Sequence, residues 1–433
     1  MVDKRIPIYF INRNRLSALR RCIQWLIDLG YTNISVIDNA SSYPPLLEYY
    51  RAMAPRVKVH FMAKNYGPWV FWERGFGAGM NQKYIVSDSD LIPSDFCPND
   101  LIEKMGALLD EHEGIVKVGP ALRIDDLPQA NSKADLVFKW ESQFWSSPVG
   151  DNLFAAPIDT TFAMYRPGLD FSKSGGNNIR IGYPYIFLHT PWYVDEANLD
   201  GEERYYRSSR AEEFSYWSGG CLTRTLEGHK KIVNWDSRKK ILHLACGDNY
   251  IPGWVNVDDI GWKLDYQVTW GDVRKFCLPF PDDHFDGAYV GARFCRIRDT
   301  QAIMSELLRV CHNGAIVNMR LPYFTASSSL HRDYQRLYCE SSFDRGRYEI
   351  RGGNVKPGQW IRSGTTLVIN DIYGQIKNTL TILDLHSKWN LVKEMYIQLI
   401  PQKGSNNVKI NKDIVVQNSS LICPVFQTSE ALL

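Results

Sequence analysis

Several common features are missing from this sequence. Its nine cysteines contain no CxxC pair and no zinc-type spacing, which favours free thiols in a reducing compartment. The net charge is only +2, so the charge balance gives no reason to expect a nucleic-acid partner or an anionic membrane. Long hydrophobic runs are also missing, and the first apolar stretch, Ile6 to Ile11, is too short for a signal peptide or a membrane span. We therefore expect a cytoplasmic protein without a transmembrane segment.

The length and composition indicate a globular protein with two domains. The chain has 433 residues, of which 44% are hydrophobic and 23% charged. Between residues 228 and 240 the sequence turns polar and basic, and a new hydrophobic strand follows. We predict a first domain over residues 1–228, a linker over 229–239, a second domain over 240–400 and a C-terminal extension over 401–433.

The first 38 residues have the pattern of a βαβ unit. A buried apolar run is followed by apolar residues at helical spacing from Leu16 to Ile27, by Gly30 at the position of a C-terminal cap, and by a second strand that ends at Asp38. Such a unit predicts an α/β fold with a parallel sheet and helices on its faces. Ligands of these sheets bind at the carboxyl ends of the strands.

Two carboxylates end a later strand. The segment from Lys83 to Val86 is rich in strand-forming residues, and Asp88 and Asp90 follow it, one residue apart. Alternation along a strand would point both side chains the same way, where a divalent cation would relieve their repulsion. Mg²⁺ and Mn²⁺ favour one or two carboxylates together with substrate phosphates. The alternative is a solvated turn, since Asp and Ser are common there.

Four motifs together resemble the GT-A glycosyltransferases of the family 2 type. They are Ile8–Arg15, Ser35–Ser41, Asn65–Pro68 and Ser87–Asp90, in the order that this family shows. The resemblance implies a nucleoside-diphosphate sugar as donor, a UDP-sugar first, a glycan hydroxyl as acceptor, and Mn²⁺ or Mg²⁺ as cofactor. It further implies that Asp38 contacts the base or ribose, that Asp88 lies near the ribose and the metal, and that Asp90 binds the metal. Arg13 would neutralise the diphosphate, unless it is a surface arginine.

Further polar residues complete the expected site. The run Ile158–Tyr165 reads as a strand with an acid near its start, and Asp159 is our first candidate for the base that deprotonates the acceptor. Glu141 is the reserve, and a turn cap is the alternative role of Asp159. The resemblance implies that His189 is a third metal ligand, although a lone histidine beside aromatic residues is often a core residue.

The second half resembles small class I S-adenosylmethionine-dependent methyltransferases. A strand runs into Ala245–Gly247, the next strand closes with Asp258, and Asp272 lies further along. The resemblance implies a Rossmann-like domain in which Gly247 lies against the methionine part of the cofactor, Asp258 binds the ribose and Asp272 lies near the adenine.

The second half also departs from that family. Ala245 stands where the family has glycine, and Ala292, Cys295 and Arg296 replace a His-x-x-Glu-His segment. Three alternatives stay open: an active methyltransferase that uses S-adenosylmethionine, an inactive structural domain, or a second glycosyltransferase. The order of the two domains is loosely similar to that of the multidomain glycosyltransferases with which chloroviruses build capsid glycans rich in rhamnose and methylated sugars.

Overall fold

The protein divides into two compact units. The computed structural model describes residues 3–168, 177–209, 239–270, 277–298, 300–324, 338, 342, 358–369, 392–403 and 414–418. The first unit comprises Met1–Trp235 and the second Asp236–Leu433. Each has its own mixed α/β architecture, which confirms the predicted fold class. Within the described ranges, no helix combines the length and the apolar composition that a bilayer span requires.

The first unit is built on one sheet. Its described strands are β1 (Ile8–Asn12), β2 (Ile34–Asp38), β3 (Val57–Phe61), β4 (Tyr84–Asp88), β5 (Leu91–Pro93), β6 (Lys117–Leu122), β7 (Pro148–Gly150), β8 (Leu153–Ala155), β9 (Ala163–Tyr165) and β10 (Asn178–His189). They lie in the order β3-β2-β1-β4-β9-β6-β10-β8-β7, and β5 pairs with β10. The described helices are α1 (Ser17–Asp28), α2 (Pro44–Met53), α3 (Val70–Glu73), α4 (Leu101–Glu111), α5 (Ala134–Glu141) and α6 (Gly201–Ser209).

The helical spacing seen in the sequence gives α1 its buried face. Ala18, Leu19, Cys22, Ile23 and Leu26 are buried on one side of this helix, as an amphipathic pattern requires. Gly30 follows with a φ of +84°, a conformation that favours glycine, and its N–H donates to Ile27 O at 2.9 Å. The chain then enters β2 beside β1, so the predicted βαβ unit is confirmed.

The sheet is not parallel throughout. β3, β2, β1 and β4 run parallel, but β9 enters between β4 and β6 antiparallel to both. The strand predicted over Ile158–Tyr165 is shorter than expected, because β9 begins only at Ala163. Asp159 lies in the loop that precedes this strand.

The second unit has a Rossmann-like sheet. Its described strands are β11 (Ile241–Leu244), β12 (Val255–Asp258), β13 (Tyr266–Gln267), β14 (Phe285–Val290), β15 (Cys311–Pro322), β16 (Gly358–Ile369), β17 (Val392–Lys403) and β18 (Ile414–Asn418). The order is β13-β12-β11-β14-β15-β17-β16-β18. The first five positions follow the third-second-first-fourth-fifth order of doubly wound sheets, while β17 runs antiparallel to both of its neighbours. Helix α7 (Thr300–Val310) connects β14 to β15, and its buried side chains join the core.

The segment predicted as a C-terminal extension contributes to this sheet. β17 continues to Lys403, and β18 pairs in parallel with β16 as an edge strand. Of the residues predicted to have a role, Asp272 lies outside the described residues, as does most of the predicted linker.

Candidate functional site

Three strand ends bring the predicted acids of the first unit together. Because β1 runs parallel to both β2 and β4, their carboxyl ends meet at one edge of the sheet. Asn12 is in register with Asp38, and Ile11 with Asp88. The sequence therefore places a polar cluster at the edge where sheets of this type bind their ligands.

Asp38 is fully buried and already hydrogen-bonded. The Tyr50 hydroxyl donates to Oδ2 at 2.8 Å, and the Ser41 N–H donates to Oδ1 at 2.8 Å. Asn12 in turn donates to the Tyr50 oxygen at 2.7 Å. These contacts fix the loop after β2, and the predicted contact of Asp38 with a base or ribose stays a prediction.

Asp88 is held by the loop that precedes β9. The Thr160 hydroxyl donates to Oδ2 of Asp88, and the Asp88 N–H donates to Thr160 O at 2.9 Å. Burial raises the pKa of Asp88 well above its ordinary value, and the negative charges of Asp90 and Asp159 raise it further, while Thr160 acts in the opposite direction. The three acids therefore share one electrostatic environment.

Asp90 lies beside His189, and the role of the two residues as metal ligands stays a prediction. The distance from His189 Nε2 to Asp90 Oδ2 is 3.5 Å, and the pairing of β5 with β10 sets Leu91 in register with His189. The pKa of Asp90 is lowered because the charges of His189 and Arg15 outweigh the effect of burial. Asp90 Oδ1 and His189 Nδ1 are both buried and have no hydrogen-bond partner within the described residues.

The arrangement fits a divalent cation that is shared with a ligand. No group of three or more His, Cys, Asp or Glu side chains in the described part of the chain is arranged to hold a metal by itself. Mg²⁺ and Mn²⁺, however, are bound by one or two carboxylates together with substrate phosphates. The unpartnered Oδ1 of Asp90 and the repulsion between Asp88 and Asp90 fit such a site.

Asp159 and Glu141, the two candidate bases, differ in solvent exposure. The Asp159 side chain is exposed, whereas Glu141 is buried and forms an ion pair with Arg180. Burial raises the pKa of Glu141, although Arg180 opposes this change. Of the two candidate bases, only Asp159 has a carboxylate open to solvent.

Two buried cations hold the backbone around Asp159. Lys117 Nζ donates to Asp159 O at 3.3 Å, and Arg180 Nε donates to Pro157 O at 2.8 Å. Burial lowers the pKa of Lys117 to about 8. The sequence reasoning missed both residues, because each lies in a strand and contacts a loop that is distant along the chain.

Helix α6 packs on the loop that follows β1. Arg15 forms a buried ion pair with Glu203, and its guanidinium lies 3.7 Å from the centre of the Tyr206 ring. Arg13 donates to Ser209 O at 2.7 Å, and its Nε is buried without a hydrogen-bond partner within the described residues. Arg15, not singled out from the sequence, is thus the arginine whose charge acts on Asp90.

In the second unit, Gly247 and Asp258 do lie together. The Gly247 N–H donates to Asp258 Oδ2 at 2.7 Å, at the adjacent carboxyl ends of β11 and β12. Ala245 adopts a φ of +53°, so it has the left-handed conformation in which glycine is usual. Arg293 forms a 2.8 Å ion pair with Asp258, and the sequence reasoning did not foresee this pair.

Comparison with known proteins finds similarity to methyltransferases and to a glycosyltransferase. No protein-family model matches the chain. A 2-phytyl-1,4-naphtoquinone methyltransferase from Synechococcus elongatus is 39% identical over 76 residues, which are 17% of this chain and 31% of that protein. The chain thus aligns with less than a third of this curated relative.

Among solved structures, two illustrate the two kinds of similarity. A mannosyltransferase from Pyrobaculum calidifontis in complex with GDP-Man and Mn²⁺ is 11% identical, with 53% of this chain and 76% of that chain covered and a TM-score of 0.30. A SAM-dependent methyltransferase from Thermotoga maritima is 13% identical, with 46% and 94% covered and a TM-score of 0.24. The strand order within each unit defines its fold.

Proposed function

We propose that the first unit is a metal-dependent glycosyltransferase that moves a sugar from a nucleoside-diphosphate donor to a glycan hydroxyl. The observation that carries the proposal is the pair Asp88 and Asp90 at the carboxyl edge of the sheet. One of these acids has a raised pKa, and the other has a buried oxygen without a partner in the described residues. A bound cation would satisfy both acids at once, and the diphosphate would supply further ligands to that cation.

In the proposed site, the diphosphate of the donor and the side chains of Asp88, Asp90 and His189 would together hold Mn²⁺ or Mg²⁺, since the described side chains are not arranged to hold the ion by themselves. When bound, this ion would neutralise negative charge on the leaving diphosphate. Thr160 orients Asp88 through the hydrogen bond to its Oδ2. The positive charge of Arg15 also acts on Asp90.

Asp159 would act as the general base. Its carboxylate is exposed, lies within electrostatic reach of Asp88, and would take the proton of the acceptor hydroxyl as the glycosidic bond forms. Lys117 and Arg180 fix the neighbouring backbone, so that the carboxylate is held in place without being neutralised by a direct ion pair in the described residues.

The metal site is tested with Asp90→Ala. A panel of nucleoside diphosphates and nucleotide sugars is measured by thermal shift with Mn²⁺ and again with EDTA. UDP-sugars and activated rhamnose are included because of the resemblances described above. We expect Mn²⁺-dependent stabilisation of the wild type by at least one nucleotide, and its loss in Asp90→Ala.

The matched control for this test is Asp95→Ala. Asp95 is 96% exposed and lies in the same unit, so this variant should behave as the wild type. Equal stabilisation of the Asp90 variant and the wild type would remove the metal role from Asp90.

The base is tested with Asp159→Asn. This variant should bind the nucleotide as the wild type does, because Asp159 is not a proposed metal ligand. Transfer to an acceptor should fall by about a hundredfold or more, the usual contribution of a general base. Loss of nucleotide binding in Asp159→Asn would instead assign this residue to the donor site.

A sequence similarity also raises methyl transfer by the second unit as an alternative function, which the ion pair of Asp258 with Arg293 argues against. The observation that favours it is the 76-residue similarity to a methyltransferase. Titration with S-adenosylmethionine tests it directly.

A further inference from the structure

The acid that would bind a ribose in the second unit has its hydrogen-bonding capacity filled. Asp258 is fully buried. Its Oδ2 accepts from Gly247 N at 2.7 Å and from Arg293 Nε at 2.8 Å, and its Oδ1 accepts from Asp259 N at 2.7 Å and from Trp270 Nε1 at 3.0 Å. A carboxylate has about four acceptor sites, and the chain itself supplies four donors.

Arg293 also covers the glycine of the first loop. A Cβ on Gly247 would lie 2.5 Å from Arg293 Cδ, so the arginine stem lies directly over the glycine backbone. The guanidinium is held in this position from both sides, because Nη2 donates to Asp259 Oδ1 at 2.8 Å while Nε donates to Asp258.

The loop after β12 also lies against the same glycine. A Cβ on Gly261 would lie 2.3 Å from Gly247 O, so the two loops are in backbone contact. Glycines at such positions normally let a cofactor approach the backbone closely. Here the close approaches are made by the protein's own atoms.

We propose that Arg293 occupies the position of an adenosyl ligand and that the second unit consequently does not bind S-adenosylmethionine. A bound nucleoside would need Asp258 for its ribose hydroxyls and Gly247 for close approach, and Arg293 uses both. The residues present therefore do not fit this cofactor, and methyl transfer is not an activity of this unit.

The test is isothermal titration of the full chain with S-adenosylmethionine and S-adenosylhomocysteine. We expect no saturable binding to the wild type at ligand concentrations up to about 1 mM, and affinity at least about tenfold tighter in Arg293→Ala. S-adenosylhomocysteine lacks the sulfonium charge: if only this compound binds the wild type detectably, charge and not occupancy excludes S-adenosylmethionine, and the proposal fails.

Arg309→Ala is the matched control. Arg309 is an arginine of the same unit, with ion pairs to Asp282 at 3.0 Å and to Glu306 at 2.7 Å, and its side chain is 14% exposed. Its removal costs comparable contacts but uncovers neither Gly247 nor Asp258. Gain of binding in this control would show that general loosening of the unit, and not Arg293, governs access.

Two further results would also overturn the proposal. Saturable binding of S-adenosylmethionine to the wild type in the micromolar range is the first. A folded Arg293→Ala variant that still fails to bind either compound is the second. If Arg293→Ala loses its cooperative melting transition, Arg293→Gln replaces it with the same two outcomes, because glutamine keeps a donor for Asp258 but has a shorter, uncharged side chain. None of these measurements involves a nucleotide sugar, so they are independent of the function proposed for the first unit.

Discussion

The buried ion pair between Glu141 and Arg180 should contribute strongly to the stability of the first unit. Glu141 ends α5 and Arg180 lies in β10, and their side chains are only 3% and 5% exposed. Arg180 also donates to Pro157 O, two residues before Asp159. We predict that Glu141→Gln destabilises the first unit because it leaves the Arg180 charge buried without its partner.

The magnitude follows from the burial of both partners. Breaking a buried pair by removing one charge costs about 3–5 kcal/mol, whereas an exposed pair contributes about 1 kcal/mol or less. For a unit of this size each kcal/mol shifts Tm by roughly 2–4 °C, so Tm should fall by roughly 6–20 °C. Replacing both residues with methionine should recover most of the loss, since no charge then stays buried.

The assay is urea denaturation followed by tryptophan fluorescence, with Glu103→Gln as the control. Glu103 is paired with Lys4 at 2.8 Å in the same unit, but the two side chains are 29% and 43% exposed. This control should cost less than about 1 kcal/mol. If Glu141→Gln is as stable as the wild type but loses transfer activity, the reasoning is refuted and Glu141, not Asp159, becomes the candidate base.

Two further predictions concern buried polar groups of the first unit. Tyr50→Phe removes the hydroxyl that donates to Asp38, so the free energy of unfolding in urea should fall by about 1–3 kcal/mol; an unchanged value would show that water replaces the hydroxyl. Lys117 has a pKa lowered to about 8 from 10.5, so between these pH values the unfolded chain binds more protons than the folded one. The stability of the wild type should therefore rise by up to ~3 kcal/mol relative to Lys117→Met over this range, and a flat difference would contradict the buried position.

The parts of the fold that follow from local patterns could be predicted from the sequence. The helical spacing of Leu19, Ile23 and Leu26 and the cap at Gly30 fix α1 and its buried face. The same local pattern places Asp38 and Asp88 at the carboxyl ends of the two strands that flank β1, since parallel strands end at one edge of the sheet.

The segment around Asp159 could not be predicted in this way. Its apolar and β-branched residues indicate a strand, yet β9 begins only at Ala163. The polar backbone groups here find partners outside a ladder: Thr160 O accepts from the Asp88 N–H, and Asp159 O accepts from Lys117. These partners are about 40 and 70 residues away along the chain, so no local pattern reveals them.

The two units differ in how the charge of a buried acid is compensated. Each ends a central parallel strand with an acid at the edge of its sheet, where burial penalises the charge. In the second unit the chain supplies a cation, and the contacts of Asp258 with Asp259 N–H and Arg293 lower its pKa despite burial. In the first unit the pKa of Asp88 is raised, and Asp90 Oδ1 has no partner within the described residues. Arg15 and His189 lower the pKa of Asp90, but Asp88 and the buried Oδ1 of Asp90 are left for a ligand to complete, whereas the four acceptor sites of Asp258 are filled by the chain. For this reason we propose the metal and the sugar donor for the first unit.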